Sequence, residues 1–406
     1  MIQMPLWVLG LIVVLLSCGI GSLFGRGDRN EPPAIEKKKK AVVIGIHGFY
    51  PVKFTRGLLG ESTHTAQEIT QRAAKQLHRW SEFNDVPLDI ETIALEGYGK
   101  VLERASYALQ LLENWMDSIS GCDYLIIASH SQGVPIAINV TSRLINAGYL
   151  ANVEKIGLIN VSGICLGPFS GLDSKLPIKG FSNFEKEILL EIFDFQDPES
   201  ELSCELRRHL RVLVNRNVKL TFVGSMNDQF VPLYSSLNVV MKHPNVFRCV
   251  YIDGDSDQPD FLINLMNLIL ITKNLCHEDH ELLVELSSFL AGEINTAGHS
   301  RVLQEENVYL EGLKNTLETT QLIFEQPIKE TKINVKEFNM NQYHLPWCLR
   351  GFLQELSELK HVDEEEQFSV LQKQFEQWNP VTKEQKELKF CMAVLGTMKR
   401  EDVIII

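Results

Sequence analysis

From residue 41 onward, short continuous runs of apolar residues alternate with longer stretches in which apolar positions recur every three or four residues. The runs are "AVVIGIHGF" (41–49), "PLDIETIALEG" (87–97), "CDYLIIASH" (122–130), "VEKIGLINVSG" (153–163), "VKLTFVGS" (218–225) and "VFRCVYID" (246–253). Apolar runs of this length, without alternation, are those of strands buried on both faces of a parallel sheet. Between them the spacing predicts helices over 65–81, over 100–119, from Gln132 onward and near 233–242. Strands alternating with helices imply an α/β fold, a mostly parallel sheet with helices on both faces. Right-handed crossovers bring the C-terminal ends of the strands to one edge, where such sheets hold ligands. Residues 164–217 break the rhythm with a Gly- and Pro-rich loop and one or two helices, and read as a lid- or cap-like insertion.

After residue 254 the pattern is helical. Residues 260–276 and 280–293 are strongly apolar, but Asp260, Asn264, Asn267, Lys273 and Asn274 interrupt the first, which reads as a buried core helix rather than a membrane span. Another helix is expected over 302–320. Residues 329–406 form a C-terminal helical extension. Phe352, Leu356 and Leu359, then Phe368, Leu371, Phe375 and Trp378, keep helical spacing until Pro380. The simplest reading packs these stripes on the main domain; an oligomer contact or a membrane-lying face is the alternative.

The N-terminal end follows neither pattern. "PLWVLGLIVVLLSCGIGSLFG" (5–25) carries no charge and has the length of a single membrane-spanning helix. No Lys or Arg precedes it, whereas Arg26, Arg29 and Lys37 to Lys40 follow, which orients the C-terminal side to the cytosol. A cleaved signal peptide would want a basic start and an A-x-A-like site, and neither is present. Residues 26–40, with Pro32-Pro33 and the lysine run, read as a charged linker whose lysines are solvated or touch anionic lipid head groups.

Composition narrows the classes. With 45% hydrophobic and 22% charged residues the 406-residue chain is globular. Its formal net charge of −13 argues against a nucleic-acid partner. The eight cysteines form no C-x-x-C pair, so neither a zinc site nor a disulfide framework is indicated.

The chemistry concentrates in "DYLIIASHSQGVPIAINVTSRL" (123–144), an apolar strand, a sharp serine-bearing turn and an amphipathic helix. The G-x-S-x-G pattern would make Ser131 a nucleophile, with Ser129 standing where the pattern has its first glycine. Such a turn lifts the serine hydroxyl above the sheet and crowds the backbone, so the residues two before and two after must be small. Ser129 and Gly133 satisfy this. Ser129 as nucleophile would not, since its own neighbours are Ile127 and Ser131. The helix beginning at Gln132 points its positive dipole end at the site.

A serine hydroxyl needs a base, and the base an orienting acid. In the α/β-hydrolases, which this serine turn resembles, these follow in the order Ser, Asp or Glu, His. Asp228, in "NDQFVP", lies just beyond a strand; Asp253, Asp255 and Asp257 are alternatives beyond the next one. Histidines before residue 228 break the order. His243 precedes a proline, and His277 and His280 in "CHEDHE" lie between two helices, only loosely like a metal cluster. His299, in the glycine-containing loop "TAGHSRV", is the best-placed base, although two helices separate it from the last strand. For an oxyanion hole, one N–H comes from Gln132 and the other from Phe49 or Tyr50, with His47 and Gly48 supporting the loop. The cluster "RGLLGESTHT" (56–65) is a helix cap with solvated charges or a holder for a polar head group.

The set "IHGFYP", "SHSQG", "NDQFVP" and "GHS" resembles the α/β-hydrolase superfamily. The longer "HGFYPVKFTRGLLGESTHT", "ASHSQGVPIA", "GICLGPF" and "GSMNDQFVPLYSS" resemble a family of fungal, membrane-anchored, functionally uncharacterised α/β-hydrolase-domain proteins, over about residues 41 to 320. The resemblance implies an α/β-hydrolase domain over 41–328 that hydrolyses ester, thioester or amide bonds through an acyl-enzyme. It gives Ser131, Asp228 and His299 the roles of nucleophile, acid and base, and it implies no metal or organic cofactor. With the anchor, the expectation is a single-pass membrane serine hydrolase facing the cytosol and acting on a lipid or acylated substrate. The alternative is a non-catalytic hydrolase fold serving as a membrane scaffold.

Overall fold

The apolar runs become one sheet, in which every neighbouring pair is parallel: β1 (Val14–Leu16), β2 (Lys39–Ile46), β3 (Leu88–Leu95), β4 (Tyr124–His130), β5 (Lys155–Val161), β6 (Lys219–Ser225) and β8 (Val246–Ile252), in the order β1-β8-β6-β5-β4-β2-β3. A separate two-residue strand, β7 (Met241–Lys242), pairs antiparallel with β9 (Lys329–Glu330). The computed structural model describes residues 14–16, 38–49, 65–175, 181–254, 258–293, 297–335, 342–359 and 363–399.

Alternation along the strands separates two cores. In β2, Ala41 and Val43 face one layer while Val42, Ile44 and Ile46 face the other. The first layer is covered by α1 (Ala66–Phe83) and α8 (Glu306–Leu317); the second by α2 (Val101–Leu112), α3 (Gly133–Asn146) and α5 (Glu201–Asn215). β4 and β6 are buried at every position, which is why their sequences do not alternate. The edge strand β3 is exposed at several positions and does carry polar residues.

β2 begins two residues before the apolar run. The Lys39 ammonium reaches Glu154 at 2.6 Å and lies over the Tyr124 ring, and the Lys40 N–H donates to Asp123 at 2.7 Å. These two lysines are therefore strand residues rather than part of the linker. The helix expected over 5–25 lies outside the described residues except for Val14–Leu16, which form a strand and not a helix. β8 would otherwise be an open edge, and its unpaired N–H and C=O groups take up an extended apolar run. Among the described residues no helix is long and apolar enough to cross a membrane.

The insertion over 164–217 divides. α4 (Asn183–Glu191) packs on the start of α2 through Leu189 and Glu191, whereas α5 is the crossover helix between β5 and β6. It lies along α3 with His209 between them, bonded to Ser142 at 2.9 Å and Asn139 at 3.0 Å. The helix expected over 233–242 is only Leu233–Ser236. Asn238 turns left-handed (φ 44°), and the fully buried Arg248 guanidinium donates to the freed carbonyls of Leu237, Asn238 and Met241. A partner from another strand thus replaces the helical hydrogen bonds. Similarly, the run over 280–293 is helical only in α7 (Leu282–Ser287), which starts from left-handed His280 and Glu281. The helix expected over 302–320 is broken at Glu305, whose carboxylate caps α8.

A third core joins α6 (Asp260–Asn274) and α7 to the C-terminal helices α9 (Leu345–Ser357), α10 (Glu364–Gln377) and α11 (Lys383–Cys391). Phe352, Leu356, Leu371, Phe375 and Trp378 are all buried in it, and Phe261 of α6 stacks on Trp378 at 5.5 Å. The stripes noted in the sequence are spent on this core.

One buried histidine gives the fold a pH dependence. His243 accepts a hydrogen bond from the Asn245 N–H at 3.1 Å, and burial, with the nearby Lys219 charge, pushes its pKa down to about 4. The unfolded chain holds that proton more tightly, with the ordinary value of 6.5. The stabilisation is therefore complete above pH 6.5 and is lost as pH falls toward 4, by roughly 3 kcal/mol. Denaturation midpoints measured across this range for wild type and His243→Gln should converge at the acid end. Parallel curves would remove His243 as the cause.

Candidate active site

β4 is the strand on which the site is built. At its end Ser131 adopts a left-handed conformation (φ 54°), and α3 begins two residues later. The Ser131 N–H donates to the Val161 carbonyl at 3.0 Å and its own carbonyl accepts from Val134 at 3.1 Å, so the neighbouring strand and the first turn of α3 hold the conformation. Crowding sets the surrounding residues. A Cβ on Gly48 would meet the Ser131 Cβ at 2.7 Å, and one on Gly133 would meet the Ile46 and His47 carbonyl oxygens at 2.6 and 2.7 Å. Ser129 fits where the pattern has glycine because its hydroxyl donates to Asn160 Oδ1 at 3.2 Å, directly across on β5.

Asp228 follows β6 and is buried. Its Oδ1 accepts from the Phe230 and Val231 N–H groups at 2.8 and 2.9 Å, which leaves Oδ2 for His299 Nδ1 at 2.8 Å. His299 lies on the short turn Gly298–Arg301. Its N–H donates to the Gln229 side chain at 3.0 Å, and its carbonyl accepts from His130 Nε2 at 2.9 Å. The His130 and His299 rings are 4.6 Å apart, with Phe230 edge-on to His299 at 5.4 Å. The structure therefore brings the Asp228–His299 pair against the residue adjoining Ser131. The detour through α6 and α7 returns because the Gly292 N–H donates to the Asp228 carbonyl at 3.0 Å.

Two backbone donors adjoin the elbow in the chain or in space, one on the residue after Ser131 and one on the residue after Gly48, which packs against the Ser131 side chain. The N–H groups of Phe49 and Gln132 find no acceptor among the described residues, although Gln132 is fully buried. An unpaired buried N–H is rare and marks a place where an acceptor is expected to bind. His47 Nε2 accepts from the Gly97 N–H at 3.2 Å, and burial and the Arg104 charge hold its pKa below the ordinary histidine value. The Glu96 carboxylate lies 3.0 Å from the same nitrogen and acts in the opposite direction on the imidazole.

Of the alternatives, Asp253 pairs with Arg301, two residues past His299, and so steadies the turn. Asp255, Asp257 and residues 50–64 lie outside the described residues, but Thr65 does cap α1, accepting from Glu68 at 3.2 Å. His277 and His280 both face Glu355 of α9, at 2.7 and 3.4 Å. Among the described residues no group of three or more His, Cys, Asp or Glu is arranged to hold a metal ion.

A family model described as the YMC0/YMC35 alpha/beta hydrolase domain matches residues 29–356. The chain belongs to this family. It is thereby a member of the α/β-hydrolase superfamily, the one its motifs resemble. No curated protein matches it.

Three residues of this YMC0/YMC35 domain's site escape a reading of the sequence: Arg104, His130 and Gln229. Arg104 was visible as an arginine on the apolar stripe Val101, Ala105, Ala108 and Leu112 of α2. His130 precedes Asp228 and so falls outside the Ser, Asp, His order, which does not apply to a histidine that bonds the backbone of another. Gln229 carried no local signal. The Gly48 contact is directly testable. Gly48→Ala should cost about 1–3 kcal/mol of stability, because either the loop or the elbow must move. An unchanged chemical-denaturation midpoint would mean that the loop yields freely.

Proposed function

We propose that the chain is a serine hydrolase acting on ester or thioester bonds, with Ser131 as nucleophile, His299 as base and Asp228 as orienting acid. The observation that carries this reading is the 2.8 Å bond between Asp228 and His299 Nδ1 beside a left-handed serine at the end of a parallel strand. With Nδ1 engaged, Nε2 is left to accept a proton. The Ser131 Oγ bonds to the acyl carbon as its proton passes to His299. The oxyanion is held by the N–H groups of Phe49 and Gln132. The imidazolium then protonates the leaving alcohol or thiol as its bond to the acyl carbon breaks. Water, deprotonated by the same nitrogen, releases the acid and restores Ser131.

Aromatic rings support an apolar acyl group as substrate. Phe49 packs on Tyr98 and Tyr98 on Phe184 of α4, each pair at 5.6 Å, forming a row that leads away from the Phe49 donor. α4 is also bound to the first residue of α2, three residues past Tyr98, since Glu191 accepts from the Val101 N–H at 2.9 Å. In this reading residues 164–200 act as the cap that selects the acyl group.

A fluorophosphonate probe should label the folded wild type. Ser131→Ala should abolish labelling, and Asp228→Asn and His299→Ala should slow it by about 10³–10⁴-fold. A folded wild type that does not label would leave a scaffold in place of an enzyme.

We propose in addition that the uncharged stretch over 5–25 serves as a membrane anchor with the hydrolase domain on the cytosolic side; this arrangement excludes the β1–β8 pairing, because Val14–Leu16 cannot be a sheet-edge strand and part of a membrane helix at once. The full chain expressed in cells should stay with membranes through carbonate washing, and a chain lacking residues 1–25 should be released. Release of the full chain by carbonate would sink the anchor.

A further inference from the structure

We infer that Arg104 is a positioning residue that clamps the two halves of the oxyanion hole into one rigid unit. The inference rests on the hydrolase reading above and adds to it a residue that no part of the serine motif contains.

Arg104 belongs to α2, on the face that covers the sheet, and is only 5% exposed. Its Nη1 donates to Gln132 Oε1 at 2.8 Å and, more distantly, to the Gly48 carbonyl at 3.4 Å; Nη2 donates to the His47 carbonyl at 2.9 Å. One guanidinium thus holds the loop after β2 and the residue after the serine. These are the two segments that present the Phe49 and Gln132 N–H groups. The Gln132 side chain is held at its other end too, with Nε2 donating to the Gly99 carbonyl at 3.2 Å.

Peptide planarity turns these contacts into control of donor direction. The Gly48 carbonyl and the Phe49 N–H share one planar unit and point opposite ways. Drawing the oxygen toward Arg104 therefore aims the Phe49 N–H away from it. The His47 carbonyl fixes the preceding unit, so the loop cannot rotate as a whole. Charge acts in the same direction. A guanidinium stays protonated at any working pH. Its field is already felt in this pocket, where it contributes to the lowered pKa of His47. Placed behind the Phe49 donor and against the Gln132 side chain, a fixed positive charge favours negative charge developing at the hole. The fork geometry matters, because three oxygens are met by two nitrogens of one rigid plane, which an ammonium cannot reproduce.

The test uses the full chain and a p-nitrophenyl ester of a medium-chain acid, with fluorophosphonate labelling rate and thermal midpoint read alongside. Arg104→Met should lower kcat and the labelling rate by about 10²-fold, the scale of losing one oxyanion donor, with KM within about twofold of wild type. Arg104→Lys should recover only part of the loss. Gln132→Met should lower kcat by about tenfold, and the Arg104→Met, Gln132→Met double variant should be little worse than Arg104→Met alone, because both act through one contact. Should Arg104→Met fail to fold, Arg104→Lys and Gln132→Met carry the same comparison. A wild type that labels, with variants that label equally fast or lose activity only through KM, overturns the clamp and leaves the hydrolase reading standing. A folded wild type that neither labels nor turns over overturns the hydrolase reading itself.

Discussion

A single left-handed residue, Ser131 at the end of β4, constrains more of the molecule than any other backbone feature. Non-glycine residues enter this region reluctantly, and they stay there only when the surroundings fix them. Here the neighbouring strand supplies the Val161 carbonyl and α3 supplies its first turn. The tight turn brings the loop after β2 so close that Gly48 sits against the Ser131 side chain and Gly133 against the His47 carbonyl. Sheet order then follows as a requirement. β4 must be flanked by β2 on one side and β5 on the other, or neither the oxyanion loop nor the Val161 acceptor would be in reach.

The histidine arrives by a different route. Asp228 follows the next strand but one, and its carboxylate is fixed by two backbone N–H groups before it meets His299. Between β8 and His299 the chain makes α6 and α7, which enter a core of their own with the C-terminal helices. That third core lets a long detour close with definite geometry, since α6 and α7 are packed against α9 and α10 rather than hanging from the sheet. The bond from Gly292 to the Asp228 carbonyl and the bond from His130 to the His299 carbonyl then secure the two ends of the return. The C-terminal extension so contributes to the site through α6 and α7.

Much of this was legible in the residues. The strands of the central sheet declared themselves as unbroken apolar runs because both faces are buried, and Ser131 as the only serine in its turn with small residues on both sides. What escaped depends on contacts distant in sequence. The helix expected near 233–242 has suitable composition, but Arg248 on β8 offers donors to its carbonyls and a shorter turn results. Val14–Leu16 are apolar enough for a helix in lipid and equally for an extended strand on an open sheet edge, and composition does not separate the two. Arg104 was readable only as an anomaly on an apolar stripe; which oxygens it serves follows from how α2 crosses the end of β2.

The polar groups left unpaired near the site follow from the same geometry. Asn160 Nδ2, Ser162 Oγ and Ser300 Oγ are buried without a hydrogen-bond partner among the described residues, as is the Gln132 N–H. Each such group costs about 1–3 kcal/mol. The three side chains lie within two residues of the Ser131 backbone contact at Val161, or beside His299, so they gather where strand ends meet. Such a concentration is tolerable because the strands behind it are fully buried and the three cores around it are continuous. Stability won in the layers is what permits an incompletely satisfied edge, and an edge with unspent donors is one that can hold developing negative charge. The orphaned Gln132 N–H and the strained Ser131 are thus two expressions of one arrangement, in which the sheet supplies the rigidity and the turn supplies the chemistry.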